Sequence, residues 1–220
     1  GKSAINLKSG KNLCGAFYQP VAVFADCETL NTLPQETFNE GCAEIIKYGM
    51  ICDKDFLEFL QNNSIKENIE YAIKRCVEIK RDIVNRDEFE NGERKLLNFG
   101  HTIGHAIEST ILEQTTLPQS SHGYCVLWGM VAEVYLSVVK LGLDRHVLTQ
   151  LSHLMIAYYG RPKCDCRQRD KLMDWMRKDK KNRVSDEIRF TLLRGIGDGV
   201  WDQTVSRAEL DEALEYLFSL

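Results

Sequence analysis

Two histidines one helical turn apart, His101 and His105, sit in the stretch RKLLNFGHTIGHAIE, Arg94 to Glu108. Imidazole binds metals and carries protons near neutral pH, and an H-x3-H spacing on a helix turns both rings the same way. By the same spacing Arg94, Asn98, His101, His105 and Glu108, separated by four, three, four and three residues, are expected along one face of a single helix over 92–113. The histidine pair alone fits two hydrogen-bonded core residues equally well, and Arg and Glu alone fit a solvated stripe. Gly100 and Gly104 fall between these residues. Each lowers helix propensity by about 1 kcal/mol, so another backbone or a ligand is expected to come close there.

Two further segments add donors. GCAEIIKYG sets Glu44 and Lys47 on one face of an apolar helix, and SSHGYCVLWGMVAEV opens a very apolar helix with His122 in its first turn. A carboxylate and imidazoles from separate helices can meet inside a bundle. Three such ligands leave a position open for substrate, as at a catalytic zinc. Lys47, Lys80 and Arg94 would then serve an anionic substrate, with Arg able to grip a carboxylate by two prongs. Taken singly, each lysine reads as solvated. Cys164 and Cys166 in KCDC have no second pair to complete a structural zinc site and read as free thiols.

The elements that must position these groups are mostly helical. The 220 residues are 44% hydrophobic and 27% charged with net charge -4, an ordinary globular composition with no bulk attraction to nucleic acid or anionic membrane. Any anionic ligand has to be held by local basic groups. The eight cysteines lie mostly in apolar helical patterns, so reduced thiols and a cytoplasmic location are expected, and no apolar run is read as long enough to span a bilayer. Residues 1–20 read as loop, VAVFAD (21–26) as a buried strand, and IRFTLL (188–193) as a short strand before the turn RGIGDG. Helical periodicity covers 37–62, 65–86, 92–113, 122–142, 145–159, 168–178 and 207–218. The expected fold is mainly α: a helical domain over 37–220 preceded, across a boundary near Pro34, by the tail of an α/β domain over 1–36.

In order and at approximate spacing, GKSAINLKSGKNLCGAFYQP, TLNTLP, GCAEIIKYG, RDEFENGERKLLNFGHTIGHAIE, HGYCVLWGM and RKDKKN resemble the 3-dehydroquinate synthase family of the sugar phosphate cyclases. The resemblance covers nearly the whole chain. It implies the family's C-terminal helical domain preceded by the end of a Rossmann-like NAD domain. It implies zinc, with cobalt as the alternative, on Glu44, His101 and His122. Lys2, Asn12, Lys47, Lys80, Arg94, Asn98 and His105 match positions around the substrate, as does one lysine of DKKN, with Lys180 favoured over Lys181. Lys2, Lys11 and the run Thr29, Leu30, Asn31 and Thr32 match positions near NAD.

The activity implied is conversion of 3-deoxy-D-arabino-heptulosonate 7-phosphate to 3-dehydroquinate and phosphate, with NAD regenerated each turnover. The partners implied are that phosphorylated sugar acid and a second copy of the chain in a homodimer. Two residues depart from the pattern: Tyr124 stands where an acidic residue follows His-Gly, and Ile103 where Phe follows His-Thr. A Gly-rich dinucleotide turn after a strand is not found. The chain is therefore expected to be the C-terminal portion of a longer enzyme, binding metal without turnover by itself. The rival readings are a paralogous cyclase such as 2-deoxy-scyllo-inosose synthase, a metal-dependent polyol dehydrogenase, which would place Asp at position 44, and a non-catalytic zinc-binding helical module. Arg94, Asn98 and Lys80 together favour a substrate bearing a carboxylate.

Overall fold

Helix α5 (His122–Leu141) is apolar on nearly every side, so it is stable only when surrounded. In the computed structural model, which describes residues 1–7, 10–114, 116–178 and 188–220 without the side chains of 6, 7 and 10–13, it is the centre of the fold. Helices α1 (Gln35–Cys52), α4 (His101–Glu113), α6 (Arg145–Tyr158) and α8 (Arg207–Ser219) and strand β3 (Arg189–Gly195) pack around it. Val126, Leu127, Trp128, Met130 and Val131 fill the core they enclose. Contrary to expectation, α5 does reach the length and mean hydropathy, 1.5, of a membrane-crossing helix, but most of its surface is buried in the protein. It stops at Gly142, whose left-handed backbone (φ 73°) closes the last turn.

Several expected elements are differently divided. The pattern over 37–62 is two helices, because Asp53 turns extended and caps the second, α2 (Lys54–Asn62), by accepting from Phe56 N at 2.9 Å. A smaller apolar cluster, including Ile45, Phe56, Ala72 and Ile83, joins these two to α3 (Ile69–Arg86). The pattern over 92–113 is broken as well: a 3-10 helix spans Glu93–Asn98, Gly100 is left-handed (φ 76°), and α4 begins only at His101. The five-residue polar stripe is thus split between two elements. Helix α7 (Arg169–Lys178) packs on α4.

The amino-terminal reading needs two corrections. Residues expected as loop form an antiparallel hairpin, β1 (Lys2–Leu7) with β2 (Gly10–Phe17), pairing Lys2 with Phe17. VAVFAD is no strand: Val21, Val23 and Phe24 are exposed, and among the described residues no strand lies beside them. The short strand β3 is present, and it pairs across bulges with β4 (Asp198–Thr204), which the sequence reading did not anticipate.

Candidate metal and substrate site

The histidine helix is set in place by glycines. A Cβ on Gly129 would lie 2.0 Å from Gly100 O, one on Gly104 would lie 2.8 Å from Cys125 O, and one on Gly100 would lie 2.8 Å from Val126 O. The close approach expected at Gly100 and Gly104 is therefore made, and what approaches is the backbone of α5. One turn beyond Gly129, the fully buried Glu133 accepts from Gly100 N at 2.6 Å and Ile103 N at 3.4 Å. A carboxylate against the first amides of α4 satisfies donors that otherwise lack partners and complements the positive end of the helix. His101, the first residue of α4, is fixed by this arrangement. At the other end of the seam, a Cβ on Gly123 would lie 2.5 Å from Glu40 Cα, so α5 starts hard against α1, one turn before Glu44.

Three imidazoles cluster there, with the Glu44 carboxylate against one of them. One ring nitrogen each from His101, His105 and His122 lies within 4.8 Å of the others. His101 Nδ1 is 3.0 Å from Phe99 O, and its Nε2 is 3.3 Å from Glu44 Oε1. Burial pushes His101 down to about 4, with the neighbouring Lys47 charge adding to it, so the ring is neutral at pH 7. Burial alone would raise the Glu44 carboxyl, but the His101 ring and the Lys47 ammonium outweigh it and hold Glu44 well below the usual carboxylate range. Lys47, 3% exposed, donates to Glu44 Oε2 and to Leu97 O, the latter at 3.0 Å; burial lowers its pKa although Glu44 opposes the shift.

Glu44 Oε1 is buried and has no hydrogen-bond partner among the described residues. His101 Nε2 stands 3.3 Å from this oxygen. An unsatisfied buried carboxylate oxygen is costly in isolation, and a cation shared with the imidazole removes that cost. The donor set fits a divalent metal with nitrogen and oxygen ligands. Glu44 and His101 are in contact, His122 is in the histidine cluster, and His105, matched to a substrate position in the sequence reading, stands as close to the other two rings as they do to each other.

Arg94 is 2% exposed, donates through Nη1 to Glu88 O, faces the Phe17 ring at 5.7 Å, and keeps a buried Nε without a partner. No carboxylate pairs with it among the described residues. Lys80 on α3 is exposed, makes no ion pair among the described residues, and acts on Lys47 through its charge. Asn98 Nδ2 donates to Glu90 Oε1 at 2.8 Å while the Lys2 ammonium contacts Glu90 Oε2. Glu90 holds a left-handed backbone (φ 62°), rare outside glycine, and joins two expected site residues. Sequence reasoning missed it because nothing in the spacing of RDEFENGER separates this carboxylate from its acidic neighbours.

Other expected residues are not brought in. Thr29, Leu30, Asn31 and Thr32 lie on a 3-10 helix (Cys27–Thr32); the Thr29 hydroxyl donates to Asp26 O at 2.6 Å and that of Thr32 to Thr29 O at 3.2 Å, so both are used within their own turn. The side chains of Lys11 and Asn12, and the whole of Lys180 and Lys181, lie outside the described residues. Cys164 is buried and Cys166 exposed, and none of the eight cysteines is in a disulfide among the described residues. Neither departure from the family pattern touches a donor: Ile103 is fully buried in the core and Tyr124 packs edge-on to Tyr159.

Comparison with known proteins agrees with this layout. The profile described as 3-dehydroquinate synthase N-terminal matches residues 1–40, and that described as 3-dehydroquinate synthase C-terminal matches residues 41–182. A 3-dehydroquinate synthase of a Nitratiruptor species is 41% identical over 217 residues, covering 97% of this chain and 60% of the relative. One from Clostridium acetobutylicum is 38% identical over 222 residues, covering 99% of this chain and again 60% of the relative. The chain thus spans about three-fifths of the length of these relatives. Among solved structures, 2-deoxy-scyllo-inosose synthase complexed with carbaglucose-6-phosphate, NAD+ and Co2+ superposes with a TM-score of 0.80 at 26% identity, covering 98% of this chain and 61% of that one. A 2-epi-5-epi-valiolone synthase from Streptomyces hygroscopicus subsp. jinggangensis 5008, solved with NAD+ and Zn2+ bound, gives 0.81 at 24% identity and the same coverage, a likeness of fold alone. The C-terminal profile takes in α1, α4 and α5 together with every donor that converges here, and the chain belongs to the 3-dehydroquinate synthase family.

Proposed function

We propose that this chain supplies the metal- and substrate-binding part of a 3-dehydroquinate synthase, a cytoplasmic homodimer acting on 3-deoxy-D-arabino-heptulosonate 7-phosphate. The observation that carries the reading is the cluster of His101, His105 and His122 with the Glu44 carboxylate 3.3 Å from His101, its buried Oε1 without a hydrogen-bond partner among the described residues. Glu44, His101 and His122 would hold the metal, zinc or cobalt, which when bound supplies Lewis-acid polarisation of a substrate hydroxyl.

The chain's own residues do the rest. Arg94, with its unpartnered Nε, is suited to grip the carboxylate of the substrate, and Lys80 adds an uncommitted positive charge. Lys47 keeps Glu44 ionised and, as a buried ammonium of lowered pKa, is placed to donate a proton or hydrogen bond near it. His105, whose ring centroid lies 5.2 Å from that of His101 and 5.6 Å from that of His122, is the candidate proton carrier. Asn98, Lys2 and Glu90 form a hydrogen-bonded group that would orient hydroxyls. Asn12 and Lys180 are kept as substrate contacts on the resemblance alone.

NAD is proposed on the family resemblance, with residues 1–36 as the edge of its domain and Lys2, Lys11, Thr29, Leu30, Asn31 and Thr32 facing it. The described residues do not form a dinucleotide cradle by themselves, since the threonine hydroxyls are used locally and Lys2 is engaged by Glu90. This chain alone is therefore expected to bind one divalent metal and to release no phosphate. NAD-dependent phosphate release by the purified chain would contradict that division of labour. The likeness to 2-deoxy-scyllo-inosose synthase supports a second reading, a cyclase for a sugar phosphate without a carboxylate. Arg94→Leu separates the two: it should abolish binding of the sugar acid phosphate and leave glucose 6-phosphate binding unchanged if the carboxylate is its target.

A further inference from the structure

An imidazole can offer a metal only one nitrogen, and which one it offers depends on what holds the other. His101 is held through Nδ1 by a backbone oxygen of its own turn. His122 has no such neighbour. It is the first residue of α5, its side chain is 43% exposed, and its ring makes one hydrogen bond among the described residues, from Nδ1 to Glu108 Oε2 at 3.2 Å.

Glu108 is a carboxylate that a helix surface would not need. Its side chain is 11% exposed, and it lies on α4 seven residues after His101 and three after His105. The glycine seam explains how it reaches across. Gly100 meets Gly129, Gly104 meets Cys125 one turn along, and the next step of the same antiparallel seam sets Glu108 opposite His122. A larger residue at any of the glycines would widen the spacing that this contact depends on.

We infer that Glu108 is a positioning residue for metal binding: it takes the Nδ1 proton of His122, fixes the ring plane, and presents Nε2 to the cluster of His101, His105 and Glu44. The inference rests on the reading above that His122 is a ligand. The bland alternative is an ion pair that only joins α4 to α5, which would leave metal affinity alone.

The test is a titration of the purified chain with Co2+, read by its visible spectrum and by competition with a chelator, for the wild type, Glu108→Met, Glu108→Gln, His122→Ala and the Glu108→Met/His122→Ala double variant. Glu108→Met, which keeps length and loses the acceptor, is expected to weaken Co2+ binding by about 10- to 100-fold. Glu108→Gln keeps an acceptor oxygen and is expected to recover most of that loss. In the His122→Ala background the Met substitution should have no further effect, because there is no ring left to position. Should Glu108→Met fail to fold, as judged by circular dichroism, Glu108→Asp takes its place with the carboxylate drawn back out of reach. Wild-type affinity in Glu108→Met, or an equal loss with and without His122, overturns the inference. Loss on His122→Ala with none on Glu108→Met overturns it while leaving the ligand reading intact, whereas no Co2+ binding by the wild type overturns the ligand reading itself.

Discussion

The amino-terminal hairpin and the α4–α5 seam solve the problem of burial in opposite ways. Along the seam, backbone meets backbone at Gly100, Gly104 and Gly129, a buried carboxylate satisfies the start of α4, and Phe99, Ile103 and Trp128 are fully enclosed. In the stretch after the hairpin, Tyr18, Val21 and Phe24 are exposed at 83%, 109% and 95%. The hairpin touches the rest of the fold mainly through Phe17 on Phe89 at 5.6 Å, the Phe17 ring near Arg94, Gln19 to Glu88, and Lys2 to Glu90. The helical part carries its own core, and the hairpin reaches its expected site residues through Phe17 and Lys2. The first part leaves apolar side chains with nothing to pack on among the described residues, as surfaces that meet a partner do.

Substitutions can sharpen that contrast. Phe99→Ala should destabilise by about 3–5 kcal/mol in denaturant melts, since a fully enclosed ring leaves a cavity. Gly129→Ala should cost about 3 kcal/mol because its new Cβ would strike Gly100 O, whereas Gly41→Ala on α1, with nothing within 4 Å, should be neutral or slightly stabilising. Glu133→Ala strips the acceptor from Gly100 N and Ile103 N and should cost about 2 kcal/mol, read in the same melts. Thiol labelling at pH 8 divides the molecule by rate. Burial pushes the Cys42 and Cys52 thiols up to about 11 and those of Cys76 and Cys164 up to about 12, so these should react far more slowly than the exposed Cys14 and Cys166. Phe24→Ser should move stability by no more than about 0.5 kcal/mol, and a large loss would mean that this stretch is packed after all.

The same contrast separates what could be read in the sequence from what could not. Helices α5, apolar on nearly every side, and α8, apolar along one face, lie where their apolar patterns put them, because burial is the main force holding them. Glu44, His101, His105 and His122 could be singled out as chemistry-bearing types on three helices; the histidines cluster and Glu44 contacts His101. The break at Gly100 was hidden because a left-handed glycine looks the same in sequence as a helical one. Asp53 reads as one more polar residue on a helix, although it ends one helix and caps the next. VAVFAD has strand composition, but a strand needs a neighbour to pair with. Glu108 was placed on the polar stripe but without a partner, and Glu90 was missed, for a related reason: a carboxylate's partner on another element is a tertiary fact.

The central claim is that donors on α1, α4 and α5 make one metal site. It is tested most directly by the zinc content of the purified chain after equilibrium dialysis, for the wild type, Glu44→Ala, His101→Ala and Cys164→Ser. The account predicts one zinc per chain in the wild type and in Cys164→Ser, with strong loss in the other two. Equal metal content in all four proteins, or none in any, would contradict it.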